Sequence, residues 1–141
     1  MTTTEKRLAG IARISMRWGD QDLYGHVNNC TYFRFMEQAR VEMLEALGLD
    51  IRPVGQGPVI INAACTFLAQ MNYPGTVEVR IFVGMPGRSS FMTFMEMRLD
   101  GDPTLYAEGT AKVVWIDFAT GKSVPMPDPI RAWLEGPALE G

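Results

Sequence analysis

One histidine and two cysteines are all this chain contains, and that scarcity is the first constraint on its chemistry. A lone imidazole builds no His-rich metal cluster. Cys30 and Cys65 stand apart with no CxxC or zinc-type spacing, so zinc is rejected and no cofactor is implied. Reduced thiols fit a cytoplasmic protein. No apolar run approaches the roughly 18 residues of a membrane-spanning segment. Met1–Gly10 has no apolar core of the secretory kind, so the expected location is cytoplasmic and off the membrane. An excess of one charge is also missing. Thirteen Lys and Arg against 16 Asp and Glu leave a formal net charge of −3, which gives no pull toward nucleic acid or anionic membrane. Repeats, low-complexity tracts and interdomain linkers are absent too, so 141 residues are expected to form one domain, 1–141, around one core.

The apolar residues that are present carry two different periods. Asn29 to about Leu47 reads as a helix, with Asn28 or Asn29 as N-cap and Gly48 as the stop. Tyr32, Phe35, Met36, Ala39, Met43, Ala46 and Leu47 fall at helical spacing, and Phe33, Val41 and Leu44 widen the apolar arc. The polar stripe of Arg34, Gln38, Glu42 and Glu45 is narrow, so the helix is expected to be covered on most sides. Glu37 and Arg40, three residues apart beside that arc, can pair. Ten methionines suit an adaptable core, or one facing a flexible ligand.

Elsewhere the period is two. A short strand is expected at Arg13–Trp18, then a Gly/Pro loop over Asp50–Pro58 and an extended segment over Val59–Met71. Strands through Val77–Val83, Phe91–Leu99 and Leu105–Ile116 are separated by turns at Tyr73–Gly75, Gly84–Gly87 and Asp100–Pro103. A tip turn at Thr120–Lys122 and a short helix with Asp128 at N-cap and Pro129 at N1 complete the chain. Short turns between consecutive strands predict an antiparallel meander. The economical architecture is α+β: one long helix wrapped by a curved sheet of about five antiparallel strands. Its edge strand is a natural seam for a dimer.

The segment GDQDLYGHVNN, Gly19–Asn29, places two acids, the histidine and an Asn pair directly before the long helix. A carboxylate, an imidazole and the free amides of a helix start suit attack on a carbonyl and stabilisation of its oxyanion. An Asp in such a loop also serves as a backbone cap, and Asn28 and Asn29 suit capping. A cysteine at a helix N-terminus, Cys30, admits a Cys–His nucleophile, although free cysteine is commonly a small buried hydrophobe.

Arg17 to Arg40, RWGDQDLYGHVNNCTYFRFMEQAR, resembles the hotdog-fold acyl-thioesterases, the 4-hydroxybenzoyl-CoA and short acyl-CoA branch above all, with acyl-ACP thioesterases as relatives. GRSSF at Gly87–Phe91, VVWID and TGKSVPMPD agree with it, so the resemblance spans roughly residues 10 to 130. It implies hydrolysis of acyl-CoA thioesters by a homodimer or homotetramer. It places the catalytic carboxylate at Asp22, as nucleophile or as general base on water, and a supporting role at His26. Asp20 is then a loop or capping residue. Backbone amides at Asn28, Asn29 and Cys30 would hold the oxyanion. Tyr32, with Phe33, Met36 and Val59–Phe67, would line the acyl pocket, and Arg88, Ser89 and Ser90 would meet the CoA moiety. Glu37 is a partner of Arg40, or an acid reaching across a dimer interface. Acyl-ACP thioesterases carry Asn two residues after the catalytic Asp, whereas Tyr24 stands here, which favours CoA over a carrier protein. On the same fold, a hydratase or dehydratase of enoyl or hydroxyacyl chains and a noncatalytic acyl-CoA-binding protein are the alternatives.

Overall fold

Strict alternation in the second half of the chain becomes a sheet with one buried face. The computed structural model describes residues 6–49 and 54–140; the expected loop over Asp50–Pro58 lies partly outside them. The strands are β1 (Lys6–Ser15), β2 (Gln56–Phe67), β3 (Thr76–Gly84), β4 (Ser90–Leu99) and β5 (Ala107–Asp117), and the helices are α1 (Asn29–Ala46) and α2 (Asp128–Leu134). The sheet order is β1-β3-β4-β5-β2, antiparallel throughout. Only β3, β4 and β5 form the expected meander. β1 and β2 are the two edges, and α1, between them in sequence, carries the chain from one edge of the sheet to the other.

The buried positions are every second residue: Val77, Val79, Ile81 and Val83 on β3, Phe91, Thr93, Met95 and Met97 on β4, and Ala107, Ala111, Val113 and Trp115 on β5. Against this face α1 packs Tyr32, Phe35, Met36, Ala39, Met43 and Leu44. The approach is tight at Gly109, where an added Cβ would lie 2.6 Å from the Met36 methyl carbon and 2.8 Å from its sulfur. A side chain on β5 at that point would push the helix side chain out of its place. α1 stops as expected: Leu47 closes the last turn, and Gly48 takes φ +75°, with its amide donating to the Glu45 carbonyl.

Four expectations need correction. The first strand is Lys6–Ser15, not Arg13–Trp18, because β3 pairs along that whole stretch around a register shift at Leu8/Gly10. The bulge and the small residues Ala9 and Gly10 erase the alternation that would have marked it. Trp18–Asp20 is a 3-10 turn instead. At α2 the N-cap is Pro127, and Asp128 and Pro129 are the first helical residues. α1 is covered on one side only, since Phe33 stays 39% exposed and Arg34, Glu37 and Gln38 face solvent. Glu37 lies 3.9 Å from Arg34, whereas Arg40 turns inward and leaves a buried Nη1 with no hydrogen-bond partner among the described residues. Burial lowers the Arg40 pKa from its usual value, against the pull of the Glu37 charge.

Candidate functional site

The loop ahead of α1 is a small hairpin built from its own sequence. Gln21 and Val27 form an antiparallel bridge, the Asp22 amide donates to the His26 carbonyl at 3.0 Å, and Gly25 donates back to the Asp22 carbonyl at 3.0 Å. Gly25 sits at φ +75°, where a side chain is disfavoured, and so lets the chain reverse between Asp22 and His26. Leu23 and Tyr24 at the tip are almost fully solvent-exposed.

Asp20 anchors this hairpin from beneath. It is buried, and its carboxylate takes the Arg17 amide at 2.8 Å and the Arg17 guanidinium at 3.2 Å. Its carbonyl accepts the Asn28 amide at 2.9 Å. Asp22 differs: it is exposed, and one carboxylate oxygen, Oδ1, accepts the Tyr24 amide at 2.9 Å. Its Oδ2 has no hydrogen-bond partner among the described residues, which leaves it available to a substrate or a water.

Asn28 caps α1, its Oδ1 accepting the Cys30 amide at 2.8 Å. The three amides named from the sequence therefore separate. Asn28 N–H is held by Asp20 and Cys30 N–H by the cap, while Asn29 N–H has no acceptor among the described residues. Asn29 is thus the amide at the positive end of the helix that remains open to an incoming anion.

Asp22, Tyr24, His26, Asn29, Cys30 and Tyr32 share one cleft of about 630 Å³, closed on its far side by Phe67–Gln70. Tyr32 is buried at its base. Its ring meets Phe67 edge-on, with centroids 4.9 Å apart, and its hydroxyl points to the Ala69 carbonyl at 3.5 Å. Burial raises the Tyr32 pKa, so the hydroxyl stays protonated. Phe33 and Met36 do not line this cleft: Phe33 faces solvent and Met36 packs on Gly109 in the core. Cys65 is half-buried, its thiol pushed up to about 11, again by burial. Among the described residues no group of three His, Cys, Asp or Glu side chains is arranged to hold a metal ion.

Arg88, Ser89 and Ser90 lie elsewhere. Ser90 pairs with Val114, whereas the cleft residue Phe67 pairs with Ala107, at the other end of β5. Seven residues of strand put them roughly 24 Å apart along the sheet. Their carbonyls are braced by Met126, Trp115 and Gly87 amides, and Arg131 donates to Gly87 and Arg88.

One cleft contact escapes any local reading of the sequence. His26 Nδ1 lies 2.8 Å from Asn72 Oδ1, across 46 residues of chain. Nothing near Asn72 marks it, since the pair exists only where the fold brings two loops together.

A family model described as the thioesterase-like superfamily matches residues 16–134. Among solved structures, a Pseudomonas aeruginosa protein named as a candidate thioesterase is 42% identical, with a TM-score of 0.86, over 89% of this chain and 98% of its own. A 1,4-dihydroxy-2-naphthoyl-CoA thioesterase from Synechocystis, at 16% identity, shares the fold with a TM-score of 0.82 over 92% of this chain and 96% of that one. The Bacillus subtilis (strain 168) protein YsmA is 28% identical over 120 residues, 82% of this chain and 78% of YsmA. The helix-in-sheet architecture is the hotdog fold that the Arg17–Arg40 motif implies.

Proposed function

The chain belongs to the thioesterase-like superfamily, and from that membership we propose that it hydrolyses acyl-CoA thioesters to the free acid and coenzyme A. The observation that carries this reading is the meeting of the Asp22 carboxylate, the His26 imidazole and the open Asn29 amide in one cleft. A thioester carbonyl seated there with its oxygen toward Asn29 N–H would have its developing oxyanion stabilised by the helix start. Asp22 Oδ2 either attacks the carbonyl carbon, giving an acyl-aspartyl anhydride that water then opens, or draws a proton from a water that attacks instead. In both routes the C–S bond breaks and the departing thiolate takes up a proton. Single-turnover hydrolysis in ¹⁸O-labelled water separates them: water opening the anhydride at its aspartyl carbonyl leaves label in Asp22 and releases unlabelled acid, whereas direct water attack puts the label in the acid and none in Asp22.

The same reading includes at least a dimer. β2 is an edge strand that exposes Ile61, Ala63 and Ala64, with Ile61 59% accessible. A second copy adding its own β2 antiparallel would pair the edges. That symmetry sets the partner's Gln56 end beside this chain's Phe67 end, and so brings the partner's Arg88 toward the cleft. An arginine there suits CoA phosphates.

A panel of acyl-CoAs followed for free thiol tests the activity, run beside enoyl-CoA hydration. Thiol release that scales with enzyme supports the proposal. Hydration without thiol release, or binding without turnover, contradicts it.

A further inference from the structure

Four side-chain oxygens in the loops of this protein share one habit. Asp22, Asn28, Asp102 and Asp117 each use Oδ1 to accept the backbone amide two residues ahead, from Tyr24, Cys30, Thr104 and Ala119. These are local Asx turns, which need nothing outside the loop. Asn72 breaks the habit. Its Oδ1 takes no backbone amide among the described residues and meets His26 Nδ1 at 2.8 Å.

The backbone around Asn72 is fixed at both sides. Met71 is fully buried and its carbonyl accepts the Val27 amide at 2.9 Å, which ties the residue before Asn72 to the residue after His26. The Gly75 carbonyl accepts the Met16 amide at 2.8 Å. Asn72 is itself exposed, so its contact with His26 does not come from packing.

We propose that Asn72 is the positioning residue of the cleft histidine, holding His26 as the Nδ1–H tautomer with Nε2 unprotonated. An amide oxygen only accepts, so the proton of a neutral imidazole facing it must sit on Nδ1. The lone pair is then on Nε2, the opposite nitrogen. Free imidazole side chains favour the other tautomer, so the protein is working against the intrinsic preference. Within the thioesterase reading, on its general-base route, the neutral ring takes up at Nε2 the proton that Asp22 draws from the attacking water and passes it to the departing thiolate. The titratable groups around the ring are Asp22 and Tyr24 from its own loop, Cys30 and Tyr32 from α1, and Tyr73 beside Asn72.

The test exploits the single histidine of the chain. In untagged, ¹⁵N-labelled protein, the two ring nitrogens of His26 are the only imidazole signals, and their shifts report the tautomer directly. The wild type is expected to show Nδ1 protonated at alkaline pH, and Asn72→Ala to move the population to Nε2–H. Asn72→Asp keeps the side-chain shape and adds a negative charge, so the His26 titration midpoint should rise by about one pH unit or more. An Nε2–H wild type, a tautomer unmoved in Asn72→Ala, or a midpoint unmoved in Asn72→Asp each overturns the proposal. Kinetics give a second readout. Asn72→Ala should lower kcat roughly 10-fold, whereas the Asn72→Ala/His26→Ala pair should be no slower than His26→Ala alone. Additive losses would make Asn72 structural and defeat the proposal. The NMR measurement needs no substrate, so its outcome is independent of whether acyl-CoA is turned over.

Discussion

At the scale of single residues, environment separates side chains of the same type. Asp20 and Asp22 are two positions apart, yet one is buried under Arg17 and holds the loop, while the other stands at the cleft with a free oxygen. The cysteines divide in the same way. Cys30 is exposed at the start of α1, and Cys65 is half-buried on β2 with its thiol raised to about 11 by burial. The folded state therefore favours the neutral Cys65 thiol. Its contribution to stability is whole below the unfolded value of 9.0 and is lost as pH rises toward about 11. Because the thiolate is the nucleophile, native protein at neutral pH should take up one equivalent of iodoacetamide quickly, at Cys30, with Cys65 following only on unfolding. Peptide mapping checks this, and equal labelling of both cysteines in the native protein would contradict it. Much of the candidate cleft at this scale is legible in sequence, because Asp22, His26 and Asn28 lie within one short loop. Asn72 is not, because the contact that gives it a role is made between two loops 46 residues apart.

At the scale of elements, α1 and the β3–β5 meander are readable because their periods are carried by side chains facing a single core. β1 is not, because Ala9, Gly10 and a bulge replace the alternation, and only the edge of β3 makes a strand of it. Likewise the wide apolar arc of α1 predicts cover that one chain does not supply. The helix-to-sheet contact includes Met36 over Gly109, a large flexible side chain against none. Met36 is 1% exposed, so Met36→Ala should leave a cavity and cost about 2–5 kcal/mol, read as a fall in the urea midpoint. Adding Gly109→Ala should refill part of that space, making the double variant more stable than the two single losses combined imply. Strict additivity would show that the two residues do not share the contact.

At the scale of the whole molecule, the proposed dimer would account together for the exposed apolar row on β2, the half-covered α1 and the remoteness of Arg88 from the cleft. If β2 is the seam, Ile61→Lys should halve the mass seen by sedimentation equilibrium and raise KM for acyl-CoA through loss of the partner's Arg88. An unchanged mass would rule out this edge as the interface. The central claim is chemical, however, and Asp22 carries it. The most direct measurement is kcat/KM of Asp22→Asn against wild type on the best acyl-CoA, by thiol release, with circular dichroism showing that both are folded. The substitution keeps the Oδ1 acceptor of the Tyr24 amide and removes only the charge. A fall of about 10²-fold or more is predicted; turnover equal to wild type on the same substrate would contradict the account.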